Sequence, residues 1–202
     1  MKEYIPHKEP IPYLIVKNYF DEKDVELMLQ ETDLVRTTDI MSFEDGIGMP
    51  DGHKKNEQIT VDSIYQNRNA SHILTKFDKI YKDEKLISTL QNMSWFYDCW
   101  GFTNRDSTFI NYSEKGDYYK EHRDIAVITM MYWIWKKPKS FTGGDLLLPR
   151  YNIKIPIKRN QLMIIPSSIE HEILPITKGF GRWGIIRFLY LIPPAMIRVI
   201  NP

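Results

Sequence analysis

At 202 residues, with 43% hydrophobic and 26% charged side chains, the chain has the composition of one soluble globular domain with a substantial core. A formal net charge of +1 argues against a surface dedicated to nonspecific nucleic-acid binding, which needs a surplus of Lys and Arg. One cysteine, Cys99, excludes an intramolecular disulfide and fits a reducing, cytoplasmic setting. No charged segment followed by an apolar run opens the chain, so no signal peptide is expected.

Residues Met1 to Pro12, with three prolines, read as an extended arm, and Tyr13 to Phe20 as a first strand. Asp21 is placed to cap a helix running through Val25, Leu27 and Leu29 toward Leu34. Asp39 to Val61 is polar, rich in Gly and without periodicity, and reads as a mobile lid in which His53 is a solvated loop histidine. From Asp62 the spacing of Ile64, Ile73, Leu74, Phe77 and Ile80 is helical, with a further helix over Leu86, Ile87 and Leu90. After Asn92 the pattern turns to short β-rich runs: 95–102, 108–112, 125–135, 145–149, 153–157, 161–165, 171–176 and 183–192. Cys99, among Trp95, Phe96, Tyr97 and Trp100, reads as a packed hydrophobe. The apolar stretches 125–135 and 183–200 are interrupted and fall short of a membrane span. A helical preface followed by many short strands predicts an α+β chain with a sandwich or jelly-roll core.

The chemistry concentrates in Tyr112 to Asp124 and in His171 to Arg187. His122 and Asp124, two apart, can present an imidazole and a carboxylate to one side of an extended chain. Alone, that pair also fits an ordinary strand end. With His171 it makes the two-His, one-carboxylate set of non-haem Fe(II) sites, which leaves coordination positions open. A following Arg could grip a carboxylate through two parallel hydrogen bonds.

These residues resemble the Fe(II)- and 2-oxoglutarate-dependent dioxygenases, and within them the prolyl 4-hydroxylase group, whose motif is Tyr-x-x-Gly-x-x-Tyr-x-x-His-x-Asp. Gly116, Tyr119, His122 and Asp124 match its spacing, and Tyr112 stands one residue ahead of the motif's first Tyr. Phe141-Thr-Gly-Gly-Asp-Leu resembles the family's Phe-x-Gly-Gly-Glu-Leu, and the segment from Gln161 to Gly179 resembles its final metal-ligand segment. Arg182 follows His171 by eleven residues where the family more usually has nine or ten, which a longer turn over Lys178 to Gly181 would absorb.

The resemblance implies a double-stranded β-helix (jelly-roll, cupin-like) core buttressed by N-terminal helices. Residues 1–202 would form one domain, with helical support and lid over 1–92 and the β-helix core over 93–192. It implies Fe(II) on His122, Asp124 and His171, 2-oxoglutarate as co-substrate with Arg182 on its 5-carboxylate, O2, and ascorbate as a reductant. Tyr112 and Tyr132 are candidates for a further hydrogen bond to that carboxylate; each also fits core packing. Arg187, five residues along the strand from Arg182, should occupy the opposite face. Trp133, Trp135 and Trp183 read as core aromatics that could also offer a platform to substrate, and Lys136 to Lys139 as a solvated loop. The implied reaction is hydroxylation of a prolyl residue in a peptide or protein, releasing succinate and CO2. Alternatives are the same chemistry on an alkylated nucleic-acid base or small molecule, a metal hydrolase, and a noncatalytic metal-binding module. For the hydrolase, Glu121 and Glu172 are adjacent in sequence but expected to point away.

Overall fold

The computed structural model describes residues 1–38 and 52–192. In chain order they form β1 (Glu3–His7), β2 (Tyr13–Lys17), α1 (Glu22–Thr37), β3 (Lys54–Lys55), β4 (Glu57–Thr60), α2 (Val61–Ile64), α3 (His72–Asp78) and α4 (Glu84–Met93). There follow β5 (Arg105–Glu114), β6 (Tyr118–His122), β7 (Ile128–Ile134), β8 (Phe141–Gly143), β9 (Leu146–Leu148), β10 (Ile153–Ile155), β11 (Gln161–Pro166), β12 (His171–Ile173) and β13 (Ile176–Tyr190). Among these residues no helix is long and apolar enough to cross a membrane.

The strands form two antiparallel sheets. The larger runs β1-β2-β11-β7-β13-β5-β4, with β8 also paired to β13, and the smaller runs β10-β9-β12-β6-β3. Helices cover the outer face of the larger sheet, where Val25, Met28, Leu29, Phe77, Leu86 and Leu90 pack against Ile110, Tyr132, Trp183 and Ile185. Its inner face meets the smaller sheet through Met131, Trp133, Leu146, Ile155 and Met163. Because side chains alternate along a strand, β7 feeds both layers, with Met130 and Tyr132 outward and Met131 and Trp133 inward. The expected α+β jelly roll with helical buttress is the fold observed.

Asp21 caps α1 as expected, accepting from the Asp24 N–H at 2.8 Å. Three local expectations are corrected. The N-terminal arm is an edge strand, β1, paired with β2, a place where Pro6 is tolerated. The expected strand over 95–102 is a run of 3-10 turns. Its aromatic density mimics a strand, but the buried residues Tyr97 and Trp100 are three apart, and the Ser94 side chain caps the first turn. In the stretch expected to be a lid, residues 39–51 lie outside the described residues, and Lys54–Lys55 and Glu57–Thr60 are strands.

The expected turn over Lys178 to Gly181 is also replaced. β13 runs straight through it, and a bulge at Gly181 (φ 92°) takes up the extra residue between the Phe180 and Arg182 pairings. Cys99 is half-buried against the helix-side core, as its neighbours suggested.

Candidate metal and co-substrate site

β6 ends on His122 and β12 begins on His171, and the antiparallel register sets the two directly opposite each other. Asp124 lies just past the end of β6. Its N–H donates to the Ser167 carbonyl at 3.0 Å, and its Oδ2 accepts from Thr129 Oγ1 at 2.6 Å. His122 Nε2 is 3.7 Å from Asp124 Oδ1, and His171 Nε2 is 3.5 Å from Asp124 Oδ2. One ligand atom from each of the three lies within 4.8 Å of the others.

Both imidazoles are oriented the same way. His122 Nδ1 is 2.7 Å from the Lys120 carbonyl and His171 Nδ1 is 2.9 Å from the Ile169 carbonyl, in each case two residues earlier. A carbonyl can only accept, so each Nδ1 carries the proton and each Nε2 turns its lone pair to the centre. Burial, followed by the neighbouring His171, pushes the His122 pKa down to about 3, which keeps this imidazole a neutral donor. Burial pushes the Asp124 carboxyl up, against the opposing pull of His171, the Thr129 hydroxyl and Lys54. Two imidazole nitrogens and one carboxylate oxygen on one side of an open cavity fit a divalent ion of the Fe(II) type.

The cavity, about 340 Å³, is lined by the triad together with Asn111, Met131, Trp133 and Arg182. Among the described residues Asp124 is the one carboxylate lining it; Glu121 and Glu172 lie outside. Arg182 is 3% exposed. Its Nη1 donates to the Gly144 carbonyl at 2.8 Å and its Nη2 to Ser113 Oγ at 2.7 Å, while Nε has no partner. Burial lowers its pKa to about 10 against the opposing pull of Asp117 and Asp145, so it remains a cation at neutral pH. Gly144 makes this close packing possible: a Cβ there would sit 2.6 Å from Arg182 Nη1.

Arg187 takes the opposite face, as the spacing required. It is fully buried and ion-paired with Asp78 at 2.7 Å and Asp106 at 3.3 Å. The two tyrosines are corrections, for both face the helices and neither lines the cavity. Tyr132 donates to Asn160 Oδ1 at 2.9 Å, and Tyr112 packs 4.9 Å from Trp183 with the Arg36 guanidinium 3.7 Å over its ring. The cause is parity, since Ser113, one residue on, occupies the motif's first-Tyr position and faces inward. Sequence reasoning passed over Ser113, Thr129 and the Gly144 carbonyl; the one-residue offset of Tyr112 was the signal for Ser113. Trp133 is a cavity wall, whereas Trp135 and Trp183 are core. His53 is not one of the three grouped ligands: its ring stands edge-on to His122 with centroids 6.4 Å apart, and its Nε2 is 2.9 Å from the Glu121 carbonyl.

The profile of the 2OG-Fe(II) oxygenase superfamily matches residues 107–190, the strand-rich part of this chain that carries the triad and Arg182. In fold the chain is similar to prolyl hydroxylases of known structure. A Pseudomonas putida prolyl-4-hydroxylase superposes with a TM-score of 0.67 at 12% identity, over 88% of this chain and 92% of that one. A Trichoplax adhaerens prolyl hydroxylase, solved in complex with a hypoxia inducible factor oxygen degradation domain peptide fragment, gives 0.66 at 16% identity, over 94% and 87%. The viral collagen prolyl hydroxylase of Paramecium Bursaria Chlorella virus-1, solved as a 2OG complex, gives 0.56 at 14% identity, over 87% and 96%. At these identities the likeness is one of fold. No curated protein sequence matches the chain. The superfamily implies Fe(II), 2-oxoglutarate and O2 as the reacting partners.

Proposed function

We propose that this chain hydroxylates a prolyl residue of a peptide or protein, with His122, Asp124 and His171 holding Fe(II) and Arg182 holding the far carboxylate of 2-oxoglutarate. The observation that carries this reading is Arg182 itself. A fully desolvated guanidinium with an unpaired Nε, lining the same cavity as two histidines and a buried carboxyl, calls for an anionic ligand. With Nη1 given to Gly144 and one Nη2 hydrogen to Ser113, the edge left for a carboxylate is Nε with the second Nη2 hydrogen.

When bound, Fe(II) and 2-oxoglutarate supply the oxidation: one oxygen atom of O2 goes to the substrate and the other to succinate, with release of CO2, and ascorbate serves as reductant if the iron becomes oxidised. The protein's part is placement. The Lys120 and Ile169 carbonyls fix the two imidazoles, Thr129 fixes Asp124, and Ser113 and Gly144 fix Arg182. Met131 and Trp133 wall the cavity with apolar surface, which limits water at the site.

A peptide substrate is supported by the fold shared with a relative solved with a peptide fragment. The nucleic-acid alternative expects a second arginine on the same face, and Arg187 is committed to Asp78 and Asp106 behind the sheet. We read residues 1–202 as one cytoplasmic domain. The test is incubation of Fe(II)-loaded protein with 2-oxoglutarate, O2 and proline-containing peptides. The expected result is a peptide mass gain of one oxygen matched by an equal yield of succinate. Peptides left unmodified while a methylated oligonucleotide or a free amino acid turns over would overturn the prolyl assignment.

A further inference from the structure

Beyond the triad the cavity continues along the inner face of β5 and β13 as a row of half-buried rings. Phe109 and Phe188 stand 5.5 Å apart at 60°, and Phe188 and Tyr190 stand 6.4 Å apart at 68°. All three line the cavity. The register fixes where the row begins: Phe188 lies directly across from Thr129, whose hydroxyl holds Asp124. The row then leads outward to Tyr190, whose hydroxyl is anchored 3.0 Å from Ser107 Oγ. A single strand thus carries Arg182 at one end and the rings at the other, separated by six residues, or roughly 20 Å along β13.

We propose that Phe109, Phe188 and Tyr190 form the substrate-side wall of the site and select an extended peptide bearing proline or aromatic rings at alternate positions. This inference rests on the oxygenase reading of the triad. The continuity of the cavity is the reason for choosing substrate as the occupant, since whatever covers Tyr190 is joined to whatever reaches Phe188. The spacing fits a peptide. Residues i and i+2 of a polyproline II or extended chain are about 6.2–6.8 Å apart, close to the ring separations here. The tilt disfavours a nucleobase, for rings at 60° and 68° to one another form no parallel slot for a planar base, whereas a puckered pyrrolidine or an edge-on aromatic packs against such faces.

The test uses protein loaded with Mn(II) and 2-oxoglutarate, so that binding is read without turnover. Two fluorescent peptides share a Gly/Ala background and one central proline; the second also carries Phe two positions to each side. We expect the ring-bearing peptide to bind about tenfold tighter to wild type and to Tyr190→Phe, and the preference to vanish in Tyr190→Ala. Rescue by Phe separates a ring contact from loss of the Ser107 anchor. Equal affinity of wild type for both peptides, a preference that survives in Tyr190→Ala, or displacement of both peptides by a short single-stranded oligonucleotide would overturn the proposal. Binding of Mn(II) and 2-oxoglutarate to wild type is scored separately. If those fail to bind while the ring preference holds, the co-substrate reading falls and the aromatic wall stands.

Discussion

Replacing Arg182 by Lys keeps the charge and removes the fork. The guanidinium uses two of its hydrogens on Gly144 O and Ser113 Oγ and retains Nε–H and one Nη2–H for a ligand. An ammonium has three hydrogens. If two satisfy Gly144 and Ser113, one is left, so the variant loses one of two charge-assisted bonds to the carboxylate. Such a bond contributes about 1.5–3 kcal/mol, or roughly tenfold to hundredfold in affinity. The assay is the dissociation constant of 2-oxoglutarate for the Mn(II)-loaded protein, alongside its apparent KM in succinate formation. Both should rise by that factor, with kcat recovered at saturating co-substrate because the triad is untouched. Wild type should also gain about 2.7 kcal/mol of stability at a 2-oxoglutarate concentration a hundred times its dissociation constant, and Arg182→Lys far less at that same concentration. An unchanged 2-oxoglutarate affinity in a folded Arg182→Lys protein would refute the assignment of the guanidinium.

Three further outcomes follow from the same contacts. Thr129→Val removes the 2.6 Å donor to Asp124 Oδ2, and Mn(II) affinity measured by calorimetry should fall about tenfold to hundredfold; unchanged affinity would mean that Thr129 does not position the ligand. Gly144→Ala at φ +77° should destabilise the fold by about 1–3 kcal/mol in urea unfolding and weaken 2-oxoglutarate, because the new Cβ would press within 2.6 Å of Arg182 Nη1. Asp83 accepts from Lys2 Nζ at 2.7 Å, the Leu86 N–H at 3.0 Å and Tyr19 OH at 3.0 Å. Burial acts to raise its pKa, but these donors prevail and hold it below the ordinary value. Its charge therefore stabilises the fold fully above about pH 4 and progressively less as pH falls through the lowered pKa. Asp83→Asn, which keeps the cap on α4, should be about 1 kcal/mol less stable than wild type at pH 7, with the gap closing toward pH 3.

Much of this molecule could be read from local pattern. The cap at Asp21, the helical preface and the short apolar runs after residue 102 are set by nearest neighbours along the chain, and these appear. The motif residues Gly116, Tyr119, His122 and Asp124 could be named because a turn and a strand fix their relative placement within a few residues. The run 95–102 was misread because propensity scores aromatic content, whereas the 3-10 turns depend on which residues the core accepts.

What the sequence determined on its own was therefore the inventory: a jelly roll, two histidines and a carboxylate of the right kind, and an arginine on one face with a second on the other. The tertiary structure decided which groups meet. That His171 lies opposite His122 depends on pairing between strands remote in sequence, which no local pattern encodes. Strand side chains alternate, so one step of register separates the inward Ser113 from the outward Tyr112 and decides which of them touches Arg182. The row of Phe109, Phe188 and Tyr190 likewise exists only because β5 and β13 pair in one particular register.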